Sequence, residues 1–124
     1  MTRFSRAAFV LVVSILTAEG KRLAPEEPKP VRFENVTYSV PNFTFNDDST
    51  QNGGFLEARD VKQNLLWRIQ VFTTYYNPHL EHDGQDVFIT SLSLDEARRV
   101  LLLSDEQRRV FAVDISTRKV TRLR

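Results

Sequence analysis

The chain has no cysteine. That excludes disulfide cross-links, thiolate nucleophiles, and zinc or iron–sulfur centres built on sulfur ligands. Net charge is nearly absent too: 17 basic and 16 acidic side chains leave a formal +1. No global field therefore draws the chain to nucleic acid or to an anionic membrane. No apolar run reaches the roughly 20 residues that a bilayer-spanning helix needs. Ser49, Ser91, Ser93, Ser104 and Ser116 all lack a Gly-x-Ser-x-Gly context, which leaves serine-hydrolase chemistry without a nucleophile on a sharp turn. What remains is 124 residues, 41% hydrophobic and 27% charged. That is room for one ordinary globular domain and no more.

Arg3 and Arg6 precede an apolar stretch over residues 7–18, and small residues follow at Ala18 and Gly20. This is the order of a secretory signal, so a signal helix over residues 1–20 is expected. Its removal leaves 15 basic against 15 acidic side chains. Residues 21–30 carry Pro25, Pro28 and Pro30 among charges. They read as a stiff, extended spacer that holds the following domain, residues 31–124, away from its point of delivery.

From Val31 onward the apolar residues recur with a period near two, which predicts strands. Glu34-Asn35 reads as a tight hairpin turn between residues 31–33 and 36–38. A second hairpin joins residues 55–60 to 65–72, with Trp67, Ile69 and Val71 on one face and Arg68 and Gln70 on the other. Residues 87–94, 100–103, 110–115 and 119–123 then form a meander with turns near Asp95, Asp105 and Ser116. Residues 42–54 read as a long surface loop, and residues 73–85 as a loop that is either functional or floppy. The expectation is an all-β domain of seven or eight antiparallel strands without substantial helix. It would be a small sheet or meander, arranged as a sandwich or an open barrel.

The run Ala58-Arg59-Asp60-Val61-Lys62-Gln63-Asn64-Leu65-Leu66-Trp67 resembles the repeat of the pyrroloquinoline-quinone-type β-propellers, Ala-x-Asp-x-x-Thr-Gly-Lys-x-x-Trp. Ala112-Val113-Asp114-Ile115-Ser116-Thr117-Arg118-Lys119 is similar to its first part. The resemblance implies blade-like hairpins in which the small Ala packs under the next sheet. The Asp bonds turn amides, and the Trp staples two sheets together. A propeller needs at least four blades of about 40 residues, and this chain holds two at most. The pattern from residue 31 on is also similar to small exported bacterial β-proteins of unassigned function, which implies a periplasmic or secreted location.

Four groups of residues are candidates for chemistry. His79, Glu81, His82 and Asp83 offer imidazole and carboxylate donors to a divalent cation. They share one loop without the spacing a helix or paired strands enforce, so a solvated polar loop is the competing reading. Tyr75, Tyr76 and Trp67 are binding candidates, since aromatics are enriched where partners dock; the competing reading places them in the packing of the sheet end. Arg98-Arg99, Arg108-Arg109 and Arg118-Lys119 recur every ten residues and fit either an anionic partner or charged turns that guard sheet edges. Acidic neighbours favour the turns. Strand carboxylates facing each other across a cleft would suit glycoside hydrolysis, but a domain this small seldom offers a deep one.

The function expected from these residues is a non-catalytic binding or interaction module of the bacterial cell envelope. Its partner would be a protein or a glycan, with no cofactor and no nucleic acid, and with membrane contact only through an uncleaved leader. The alternatives are a small metal-dependent hydrolase using the 79–83 loop, and a propeller-fragment structural protein that self-associates, for instance as a homodimer.

Overall fold

The computed structural model describes residues 23–44, 50–81 and 83–124, with the backbone alone for Asp83. The leader expected over residues 1–20 and the candidate ligand His82 lie outside them. Eight strands follow in chain order: β1 (Val31–Phe33), β2 (Val36–Ser39), β3 (Phe55–Arg59), β4 (Leu65–Gln70), β5 (Ile89–Asp95), β6 (Val100–Asp105), β7 (Val110–Asp114) and β8 (Val120–Arg122). They form two antiparallel four-stranded meanders, β1-β2-β3-β4 and β5-β6-β7-β8. One 3-10 turn, Asp83–Gln85, is the sole helical element among the described residues. The fold is all-β, as the periodicity predicts. No closed barrel forms: each four-stranded sheet stays open, and the two layers contribute apolar side chains to one core.

Alternation explains the faces. In β6, Leu101 and Leu103 are buried while Leu102 and Ser104 are only half covered; in β7, Phe111 and Val113 point the same way. Leu56, Ala58, Tyr38, Trp67 and Ile69 supply the opposing face. Leu56, Ile89, Leu101, Leu103 and Val113 are at most 2% exposed. Each such side chain contributes roughly 1.5–3 kcal/mol of transfer free energy. In β5 a bulge between Ile89 and Ser91 resets the pleat. Ile89, Leu92 and Leu94 therefore all reach the core, although strict alternation would send Ile89 and Leu92 to opposite sides.

Tyr38, Ala58 and Trp67 lie abreast on three neighbouring strands. The small Ala58 leaves room for the two rings to approach to 5.9 Å between centroids. The outward face of the same sheet is roofed by ions. Glu57 accepts from Arg68 Nη2 at 2.5 Å and from Arg59 Nη2 at 3.1 Å, and the Arg68 guanidinium lies 5.8 Å from the Phe55 ring centre. Pairing lets a carboxylate stay at 5% residue exposure, since a buried charge is tolerated only when its hydrogen bonds are made.

The chain order gives the two-sheet fold two unlike ends. At the first, four short hairpin turns gather. Glu34 and Asn35 both take positive φ, 51° and 64°, as a two-residue turn of the primed type demands. The other three turns each follow an aspartate. Asp60 Oδ1 accepts from the amides of Lys62 and Asn64, Asp95 Oδ1 from Arg98 N, and Asp114 Oδ1 from Thr117 N. These bonds hold the Asp60 and Asp114 carboxyls below their ordinary pKa. The two sheets are tied here by Arg99, which pairs with Glu34 at 2.8 Å and lies over Phe33 at 5.2 Å. Arg118, likewise, covers Trp67 at 5.2 Å. Arg98, Arg99, Arg118 and Lys119 thus share one end, while Arg108 and Arg109 occupy the opposite one. At that opposite end the 71–88 connection meets the β6–β7 turn, Phe88 N donating to Glu106 Oε1 and Glu106 N to the Phe88 carbonyl, and Gly53 abuts Val87.

Candidate functional site

The loop end is built from buried polar side chains, which corrects the reading of residues 42–54 as a surface loop. Asn42, Thr44 and Gln51 are buried, as are Gly53 and Gly54; residues 45–49 lie outside the described residues. Gln51 is the centre, at 2% exposure. Its Nε2 donates to the carbonyls of Gly53 and Phe72, and its Oε1 accepts from Thr74 N and from Gln70 Nε2. All four hydrogen-bonding positions of the amide are therefore filled, as burial requires. Gly53 and Gly54 take φ of 75° and 81°, and a Cβ on Gly53 would stand 2.6 Å from the Val87 carbonyl oxygen. The two loops close onto each other only because that side chain is missing. The proline-rich segment is extended as read, but tied back: Asn42 donates from its backbone to Glu27 Oε2 and from Nδ2 to the Pro25 carbonyl.

The 71–88 connection is pinned along its length. Tyr76 donates its hydroxyl to Asp86 Oδ1 at 2.6 Å and accepts from Asn52 N, while Asn52 Nδ2 donates to Asp86 Oδ2. Burial, reinforced by the Asp86 carboxylate, raises the pKa of this phenol well above its ordinary value. Gln85 spans the loop's own neck, accepting from Asn77 N and donating to the carbonyls of Asn77 and Glu81.

Between this loop and the β6–β7 turn lies an open cleft of about 230 Å³. Thr73, Thr74 and Tyr75 form one wall and Gln85 and Val87 another; Gln107 and Arg109 complete it from the turn. Asp105, 3% exposed, accepts the amides of Gln107 and Arg109 at Oδ1 and Arg109 Nε at Oδ2, the last at 2.6 Å. The guanidinium lies 4.6 Å from the Phe72 ring centre and 5.7 Å from that of Phe111. It is thereby held on one edge and one face, and Nη1 and Nη2 make no hydrogen bond among the described residues. Thr74 Oγ1 is the buried side-chain polar atom without a partner among the described residues, and native structures leave few of these.

The residues singled out in the sequence fall in different places. Tyr75, 88% exposed, stands on the cleft wall. Tyr76, beside it in sequence, is a half-buried strut. Trp67 lies toward the turn end, packed between Tyr38 and Arg118. His79 and Glu81 are exposed on the 71–88 loop. Among the described residues no three His, Asp or Glu side chains converge as a metal site. Sequence reasoning missed Gln51, Thr73, Gln107 and the role of Arg109. One signal was present: Asp105-x-x-x-Arg109 repeats the spacing of Asp60-x-x-x-Asn64, which marks Asp105 as a turn residue and places Arg109 beside it.

No helix among the described residues is long and apolar enough to cross a membrane. No family model, curated protein or solved structure matches the chain. The two-sheet fold and the cleft at its loop end are thus the structural grounds for a functional reading.

Proposed function

We propose that the chain is a non-catalytic binding module, exported to the bacterial cell envelope, whose recognition surface is the loop end of the two-sheet fold. One observation carries this reading. The 71–88 connection is pinned by hydrogen bonds to Gln51, Asn52 and its own Asp86, and with the β6–β7 turn it frames a defined cleft, at the rim of which an aromatic side chain, Tyr75, is left 88% exposed. Ordering so much irregular chain costs conformational entropy, and a rigid scaffold that presents an exposed aromatic is how binding loops reduce the cost of association. The export signal, read from residues 1–20, supports the compartment.

The test is a pull-down from envelope extract with the full chain and with Tyr75→Ala, which removes a side chain that makes no hydrogen bond among the described residues. A partner or glycan recovered with the first and lost at least about tenfold with the second, equivalent to ~1.4 kcal/mol, places recognition at this rim. Equal recovery by both moves it elsewhere.

A further inference from the structure

We infer that the cleft takes a single carboxylate-bearing sugar ring, a hexuronate unit of an acidic glycan, with its carboxylate on Arg109. The inference rests on the binding-module reading and names the ligand for it. Arg109 carries the argument. Its Nε edge is occupied by Asp105 at 2.6 Å and its face by Phe72. Among the described residues the outer edge, Nη1 and Nη2, has no hydrogen-bond partner. That edge presents two parallel N–H donors, the geometry that a carboxylate accepts bidentately. The guanidinium does not need to be ordered on binding, since a buried aspartate and an aromatic ring already order it.

The rest of the cleft selects the class. Its volume, about 230 Å³, lies below the ~300–1,000 Å³ of pockets for drug-sized ligands, so it holds one ring and not an extended segment. Its walls offer the hydroxyl of Thr73 and the side-chain amide of Gln107, suited to a ring's own hydroxyl groups. Gln107 makes no side-chain hydrogen bond among the described residues. Tyr75 supplies an aromatic face at the mouth. A phosphate dianion fits less well, because Asp105 already offsets the one cation present. A peptide C-terminus would call for a concavity of backbone N–H groups, whereas these walls are side chains.

The full chain is titrated with glucuronate, galacturonate and mannuronate, each against its neutral hexose, and with a short peptide bearing a free C-terminal carboxylate. Backbone amide shifts of Gln107 and Arg109 are read by NMR. At least one uronate should shift both amides and bind about tenfold or more tighter than its hexose, the ratio expected for one charge-assisted contact. Arg109→Gln should abolish the preference for the acid. That variant also unpairs Asp105, so Gln107→Ala serves as the independent arm and should weaken uronate and hexose alike. Equal affinity for acid and neutral sugar would overturn the inference while leaving a binding module in place. Peptide binding without sugar binding would replace the ligand class. No shift with any probe would also overturn it, and the pull-down with Tyr75→Ala would then judge the binding-module reading separately.

Discussion

The two ends of this two-sheet fold are held by different kinds of contact. At the turn end each hairpin is closed by residues within five positions of one another: Asp60 with Lys62 and Asn64, Asp114 with Thr117. At the loop end the decisive bonds span much longer separations. Gln51 reaches Phe72 and Thr74, and Asn52 reaches Asp86. Local closure costs little chain entropy, whereas long-range closure must offset a larger loss through several simultaneous bonds. The turn end is therefore closed hairpin by hairpin, with exposed arginine contacts such as Arg99–Glu34 laid across the closed units. The loop end is one network that stands or falls together.

The sharpest way to break that contrast is Gln51→Leu. The replacement keeps roughly the volume and removes both donors and both acceptors. The Gly53 carbonyl and the Thr74 amide are then left without the partner that Gln51 gives them, and the Phe72 carbonyl keeps only Gln70 Nε2. At about 1–3 kcal/mol for each unsatisfied group, a loss of roughly 3 kcal/mol or more is expected in urea unfolding. The loss should come with early hydrogen exchange along residues 71–88. A loss confined to a few tenths would mean the loop end is not a network.

Acid should reach the turn end through two aspartates. The Asp60 and Asp114 carboxyls have folded pKa values below their reference of 3.8, chiefly through the amides of Asn64 and Thr117. A depressed folded pKa stabilises the native state above the unfolded value; the benefit disappears as pH falls through the folded one. Stability should be flat from pH 7 to about 5 and fall below about 4. The double variant Asp60→Asn, Asp114→Asn, titrated in parallel, should show a shallower fall. An identical pH profile would remove these two groups from the account.

The smallest change sharpens the comparison from the stabilising side. Gln63 holds φ at 70°, a conformation disfavoured for any residue with a Cβ. Gln63→Gly relieves that strain, partly offset by the entropy of the unfolded glycine. A gain of up to about 1 kcal/mol is expected in the urea midpoint, without effect on the exchange rates of residues 71–88. If those rates moved too, the ends would not be independent.

The same contrast explains what was legible. The second hairpin, expected over residues 55–60 and 65–72, forms as Phe55–Arg59 and Leu65–Gln70, with Trp67 and Ile69 on the core face as the alternation predicts. The Glu34-Asn35 turn is equally plain, because two polar residues, one of them an Asn that tolerates positive φ, stand between two apolar pairs. Gln51 could not be found this way. A glutamine in a polar stretch looks like any solvated loop residue until its four partners are placed around it. Tyr75 and Tyr76 are adjacent and alike in sequence, yet one is exposed and the other is a strut, because only Tyr76 meets Asp86.

By itself the sequence determined the all-β class, the strand positions, the inward faces and the aspartate turns. All of these follow from side-chain periodicity and from bonds between near neighbours. Tertiary structure alone decided which sheet covers which, that Asn42, Thr44 and Gln51 turn inward, and that Arg109 ends at the mouth of a cleft with one edge open among the described residues. Those outcomes depend on groups far apart along the chain, whose pairing is specified only when the two sheets bury their apolar faces against each other.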